Sequence, residues 1–322
     1  MSRWENAPTT REIFRLTGTL VDIYCASYPT PPAAVTLDID DTVDVVHGMQ
    51  QLSFWNGHHG ERCFLPIHVY DTETGRPVAM LLRTGKTPSG TEVAGHIRRL
   101  VRRIRRHWPE THITLRGDGH YGRPEPMEWC EKNGVDYVFG LPGNAALHAD
   151  PIIVTEADSC ATDRAVRGSS QLRRYAETKY AAKSWGKDKR RVAARIEASA
   201  LGLDIRFVVT SLSNGSAEYV YDTLYCARGQ AENLIKLHKS QLKSEQLVAR
   251  RMILPHGHRQ LERPGAVQVA KAAVSIAVGM RGDVLVPQDL QRHMLALHLA
   301  MEGRAPPRGV TASPLGREAE GA

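Results

Sequence analysis

Three stretches of this sequence hold acidic residues placed where carboxylates could do chemistry. Asp38, Asp40 and Asp41 close the β-branched run at residues 35–39. Asp118 follows a second such run, 112–115, inside Arg116-Gly117-Asp118-Gly119-His120, and Glu232 lies on a later segment of helical character. Carboxylates at strand ends face the crevice in which open α/β sheets bind ligands. Gathered together they repel and raise each other's pKa, a conflict that a divalent cation resolves. Mg²⁺ prefers oxygen ligands and is held by one or two carboxylates plus phosphates and waters. Two such ions roughly 4 Å apart activate the attacking oxygen and stabilise the leaving oxygen of a phosphodiester. On a chain of net charge +7 the pattern points to cleavage or transfer of nucleic-acid strands. The competing reading gives Asp40, Asp41 and Asp118 turn or capping roles.

Glu232 belongs to a helix expected from about residue 223 through 242. At 100° per residue Tyr225, Arg228, Glu232 and Lys239 (i, i+3, i+7, i+14) fall within roughly 60° of one another, a polar stripe. Cys226, Ala227, Leu234 and Leu237 fall on the other side, where they can pack into a core. Taken alone, such a stripe also describes the solvated face of an amphipathic helix. A basic region at 179–191 interleaves Tyr180 and Trp185 with Lys179, Lys183, Lys187, Lys189, Arg190 and Arg191, a composition suited to phosphate contact and base stacking. An exposed basic turn with a packed Trp fits equally. Arg98, Arg99, Arg102, Arg103, Arg105 and Arg106 crowd one helix side and read as a solvated face. His58, His59 and Cys63 lack a fourth zinc ligand at suitable spacing.

The elements that must position these residues alternate. Strands are expected at 35–39, 63–70 and 78–82, with a turn at Gly75 between the last two. Val93, Ile97, Leu100, Val101, Ile104 and Trp108 mark one face of a helix over 91–108, closed by Pro109. A strand at 112–115, a helix at 125–132 and a strand at 136–139 complete an α/β pattern. Residues 150–222 read as a mainly β insertion, with paired strands at 191–197 and 205–210 and a turn at Asn214-Gly215.

With these elements in place, the residues resemble a known family. Tyr225-x2-Arg228-x3-Glu232-x6-Lys239 reproduces the Y-(2)-R-(3)-E-(6)-K signature of DDE transposases of bacterial insertion sequences. Leu37-Asp38-Ile39-Asp40-Asp41-Thr42, His47-Gly48-x-Gln50, Phe54-x-Asn56-Gly57, Leu115-Arg116-Gly117-Asp118, Tyr137-x-Phe139-Gly140-Leu141 and Tyr225-Cys226-x-Arg228-Gly229-x-x-Glu232-Asn233 look like the insertion-sequence group thirteen-eighty. The likeness runs from about residue 2 to about 245. It implies a ribonuclease H-like core, with the β insertion between the second and third acids. The implied activity is cleavage at transposon ends and strand transfer into target DNA, using two Mg²⁺ or Mn²⁺ ions. By motif matching Asp40, Asp118 and Glu232 are the catalytic and metal-binding acids, with Asp38 as the alternative first acid. Arg228 and Lys239 would contact DNA phosphates and Tyr225 would position that DNA, with Trp185, Lys187 and Arg190 as further DNA contacts and Trp185 stacking on an extruded base. DNA, as transposon ends and target, is the implied partner, bound by a homo-oligomer.

The organisation that follows is a remnant of an N-terminal helical region and linker (1–34), the first part of the core (35–149), the insertion (150–222), the Glu-bearing helix (223–245) and a divergent, partly disordered tail (246–322). The chain begins inside the family's N-terminal region and departs from it after about residue 244. The expectation is therefore a disrupted element, with an internal start and a frame change near residue 246. Among the 322 residues no run approaches the roughly 18 apolar residues of a membrane span. The polar first ten residues lack a secretory core, and five scattered cysteines suggest buried, inert thiols in a reducing cytoplasm. Two other functions compete with an active transposase: a catalytically inactive DNA-binding remnant, and a structure-specific nuclease of similar fold.

Overall fold

The structure, a computed structural model, describes residues 10–242 except 47–52, 82 and 187. Helix α1 (Thr10–Ala26) leads through the Pro-rich turn into β1 (Ala34–Asp41). Three short strands follow the acids, β2 (Asp44–Val45), β3 (Phe54–Asn56) and β4 (Glu61–Phe64), and pair as a small separate sheet. Next come β5 (Ile67–Asp71), β6 (Arg76–Leu81), α2 (Gly90–His107), β7 (His112–Gly117), α3 (Pro124–Lys132) and β8 (Asp136–Leu141). The second half adds α4 (Ala145–His148), α5 (Pro151–Arg167), β9 (Gln171–Tyr180), β10 (Arg190–Ser199) and β11 (Gly202–Thr210). A π-helical turn, Tyr219–Tyr225, and a 3₁₀ turn, Cys226–Arg228, then run into α6 (Gly229–Leu242).

Eight strands form one mixed sheet in the order β6-β5-β1-β7-β8-β11-β10-β9, with β1, β7 and β8 parallel and the remaining neighbours antiparallel. The fold is mixed α/β, as the alternating pattern predicts. Side chains of a strand alternate between faces, so β1 sends Val35, Leu37 and Ile39 one way and Asp38 and Asp40 the other. The apolar side is covered by α2, whose Val93, Ile97, Leu100, Val101 and Ile104 are buried in the same core. Ser89 caps that helix by accepting from the Glu92 backbone N–H at 3.2 Å. The acidic side faces α6, which packs on β1 and β5.

Three local expectations change. The run at 63–70 is two strands rather than one, because Pro66 has no N–H for the ladder. Residues 150–222 carry the 17-residue α5 as well as strands, and β9, β10 and β11 extend the common sheet through the β11–β8 pairing. The expected single helix from residue 223 is a π turn, a 3₁₀ turn and then an α-helix. A π turn has i→i+5 bonds, so it shifts the phase of everything before α6. Within α6 the buried positions are Ala231, Ile235 and His238, with Leu237 exposed, and Cys226 in the preceding turn is exposed as well. The four other cysteines are buried and free, as expected. Residues 246–322 lie outside the described residues.

Candidate active site

The carboxyl ends of β1 and β7 are adjacent parallel strands, which brings Asp40, Asp41 and Asp118 to one edge of the sheet. Asp38 is drawn inward. It is fully buried, and Arg116 holds it bidentately, Nε to Oδ1 at 2.7 Å and Nη2 to Oδ2 at 2.6 Å, with Thr72 donating to the same carboxylate. Both carboxylate oxygens of Asp38 are engaged within the protein, so the alternative first acid is a structural one. The same Arg116 donates from Nη1 to the Leu224 carbonyl at 2.8 Å. It thereby ties the π turn, and the Tyr225, Arg228 and Glu232 that follow, to the centre of the sheet.

Asp40 turns toward that segment. Arg228 donates from Nη1 to Asp40 Oδ2 at 3.2 Å and from Nη2 to Glu232 Oε1 at 3.5 Å. One guanidinium therefore bridges two of the three expected acids, although they lie far apart in sequence. Burial pushes the Asp40 carboxyl up to about 7; the negative charges of Asp118 and Asp41 act in the same direction, and Arg228 opposes them. Glu232 is half-exposed.

Asp118 meets a different set. Its Oδ1 accepts from the His120 backbone N–H at 2.8 Å, the Asx-turn anticipated for it. Ligand atoms of Asp41, Asp118 and His120 all lie within 4.8 Å of one another, and among the described residues they are the one such group able to hold a metal ion. His120 Nδ1 sits 3.4 Å from Asp41 Oδ1 and 4.0 Å from Asp118 Oδ2. The pairing with Asp41 raises the His120 pKa, with Asp118 adding to it. The Tyr121 hydroxyl donates to Asp41 Oδ1 at 3.5 Å. Asp41 stood among the strand-end acids of the sequence without being assigned a catalytic role, and His120 was not an expected site residue. Their signal was present in the tandem Asp40-Asp41 and the Asp118-Gly119-His120 turn, but periodicity gives no means of ranking adjacent acids.

Tyr225 lines the cleft beside Asp118 with Arg228, Tyr221 and Phe207. Its hydroxyl approaches Gly140 so closely that a Cβ there would stand 2.7 Å from it and 2.9 Å from the Gly119 nitrogen. The glycine of Tyr137-x-Phe139-Gly140-Leu141 is thus required by the close approach of two site segments. Lys239 is engaged elsewhere: its Nζ donates to the Val43 carbonyl at 2.7 Å and pairs with Asp44 at 3.2 Å, anchoring α6 to the segment after β1. Trp185 is buried, with its ring edge against Tyr180 (centroids 5.5 Å) and the Arg190 guanidinium 5.3 Å from its own centroid. Arg190 is itself buried in an ion pair with Glu131, Nε to Oε1 at 2.6 Å. The structure gives both residues packing duties and leaves neither ring nor guanidinium presented to a ligand; Lys187 lies outside the described residues. His58 and His59 contact each other and form no metal cluster with Cys63.

Residues 1–256 match the family described as transposase DDE domain group 1. The chain belongs to that family. A DDE-family domain is accordingly what carries these acids. Among curated proteins none matches the chain. Among solved structures, it is similar to that of the cryo-EM structure of the piggyBac transposase synaptic complex with hairpin DNA, at 9% identity and a TM-score of 0.41. That alignment covers 91% of this chain and 60% of the other. No helix among the described residues is long and apolar enough to cross a membrane.

Proposed function

We propose that this transposase-family chain cleaves DNA at transposon ends and joins the freed strand to target DNA, with a ribonuclease H-like core and divalent metal ions held by its acidic edge. The observation that carries the reading is the bridge from Asp40 through Arg228 to Glu232, beside the Asp41, Asp118 and His120 cluster. The donor set suits Mg²⁺ or Mn²⁺, which favour carboxylate oxygens. An Asp40 carboxyl raised to about 7 by burial and by its acidic neighbours is the mark of a site with an unmet need for positive charge. Arg228 meets part of that need. In this reading Asp40, Asp118 and Glu232 are the catalytic acids, Asp41 is a fourth ligand candidate and His120 a supporting donor.

Bound metal would supply Lewis acidity for activating the attacking oxygen and stabilising the leaving oxygen. The protein's own residues do the rest. Arg228 holds Asp40 and Glu232 in register and offers a fixed cation to a scissile phosphate. Tyr225 and the cleft it lines orient the strand, while Gly140 lets the Tyr225 hydroxyl and the Gly119 backbone close up against each other. Arg116 keeps this segment in place through the Leu224 carbonyl. Work on two DNA ends fits a homo-oligomer assembled on DNA in the cytoplasm.

The test is nicking of a transposon-end duplex by the full chain with Mg²⁺ or Mn²⁺. The account expects end-dependent nicking that Asp118→Ala abolishes. Binding without nicking would identify the inactive DNA-binding form, and cleavage of branched DNA irrespective of end sequence would identify a structure-specific nuclease.

A further inference from the structure

The outward face of α2 is built from arginines. Its core side is fixed by Val93, Ile97, Leu100, Val101 and Ile104, so at 100° per residue the opposite side carries Arg98, Arg99, Arg102 and Arg106, of which Arg99 turns onto His96. Their neighbours on the helix have internal work: Arg103 pairs with Asp22 of α1, and Arg105 donates to the Gly134 carbonyl at 3.0 Å. Arg98, Arg102 and Arg106 are exposed, and among the described residues no acid pairs with them. The acid nearest the start of the helix, Glu92, is taken by Arg83 through two bonds of 2.9 and 3.0 Å.

Like charges four residues apart cost a helix about 0.2–0.5 kcal/mol per pair, and nothing within the described fold offsets that cost. An external polyanion would. From Arg98 to Arg106 is eight steps of the helix, about 12 Å at 1.5 Å per residue, matching roughly four phosphates of one strand at 3.4 Å of duplex axis each. A membrane surface fits less well, because interfacial helices set apolar side chains beside their cations, and here every large apolar residue of α2 is buried against the sheet.

We propose that Arg98, Arg102 and Arg106 form a sequence-independent docking ridge for the backbone of duplex DNA, separate from the acidic edge. The separation is topological: α2 covers the sheet face that carries Leu37 and Ile39, and α6 covers the face that carries Asp40. A duplex on the ridge is therefore a different segment from one at the acids. The inference does not depend on the proposed cleavage, since it requires binding alone.

The experiment measures binding of the full chain to a duplex of arbitrary sequence across a salt series. The triple variant Arg98→Gln, Arg102→Gln, Arg106→Gln should bind at least about tenfold more weakly and flatten the log–log salt slope by about 2.7, roughly 0.9 for each phosphate no longer neutralised. Unchanged affinity and slope in the folded triple variant would overturn the ridge, as would weaker binding to phosphatidylserine vesicles or polyglutamate with DNA binding intact. Should the triple variant fail to fold by circular dichroism, the single Arg102→Gln must still lower the slope by about one. A chain that shows the ridge effect and no end-dependent nicking would sink the cleavage reading alone; nicking with an unaltered slope would sink the ridge alone.

Discussion

Asp38 and Asp40 stand two residues apart on one face of β1, and each meets an arginine, yet the two pairs do opposite things. Asp38 with Arg116 is a closed unit: fully buried, bidentate, joined by Thr72, and linked onward to the Leu224 carbonyl. Asp40 with Arg228 is an open one. It makes a single bond of 3.2 Å to that arginine, shares the guanidinium with Glu232, and sits close enough to Asp118 and Asp41 for their charges to raise its pKa further. The difference teaches that pairing chemistry alone does not separate structure from site. What separates them is whether the pair satisfies itself. A self-satisfied pair holds the fold, and one left short of positive charge is poised to take up a cation.

The comparison can be broken in several ways, with the largest effect at Asp118, the acid beside the open pair. Asp118→Ala should lower metal-dependent nicking by about 10³-fold or more, on the order of 4 kcal/mol, with the melting temperature nearly unchanged; a comparable drop in stability would make Asp118 another structural acid. At the closed pair, Arg116→Ala leaves a buried carboxylate without its partner and should destabilise the fold by about 3–5 kcal/mol in denaturant unfolding. Retained stability there would erase the contrast.

Asp40→Asn sharpens the same contrast through pH. A carboxyl raised from 3.8 to about 7 holds its proton more tightly in the folded chain than in the unfolded one, so metal-free stability falls as pH rises from about 4 to about 7. The variant should remove that slope and gain on the order of 2 kcal/mol at pH 8, whereas Asp38→Asn should lose stability at every pH. Chemical unfolding at pH 5 and pH 8 separates the two outcomes.

Beneath α6, the histidine pair gives a smaller effect of opposite sign. His68 lies opposite Asp40 on β5 and contacts His238, with ring centroids 5.4 Å apart. Burial lowers their pKa values to about 3 and about 4. Their neutral forms are therefore needed for packing, and stability present above pH 6.5 is lost as pH falls toward 4. Amide exchange in α6 should accelerate between pH 6.5 and 5 beyond its intrinsic change, and His238→Phe should blunt that response. Last and smallest, Lys239→Met should loosen α6 by about 1 kcal/mol because it removes the bonds to Val43 and Asp44, measured by thermal melting.

Much of the central sheet was legible because its signals are uninterrupted. The apolar stripe of α2, the β-branched run of β1 and the strands β10 and β11 follow single periodicities from end to end. Helix α5 was missed although Asp150 caps it by accepting from the Ile152 N–H and Gly168 ends it at φ 63°. Its buried Ile153, Ala157 and Cys160 are diluted by exposed Ile152, Val154 and Val166, so the stripe does not stand out. The π turn was invisible because 3.6-residue counting cannot register an i→i+5 step. For the site, the family resemblance led to Asp40, Asp118, Arg228 and Glu232, and the fold brings Arg228 against Asp40 and Glu232. Spacing could not assign Asp41, since adjacent acids at a strand end are separated only by which way each turns. Trp185 misled because its basic neighbours suggest a surface, while the ring itself fills the core.

The central claim is that the acidic edge binds a divalent cation, and calorimetric titration of the full chain with Mn²⁺ tests it most directly. Saturable binding in the wild type, weakened at least about tenfold by Asp118→Asn and unaffected by Arg102→Gln, is the predicted result. No saturable binding to the folded wild type, or equal affinity in Asp118→Asn, would contradict it.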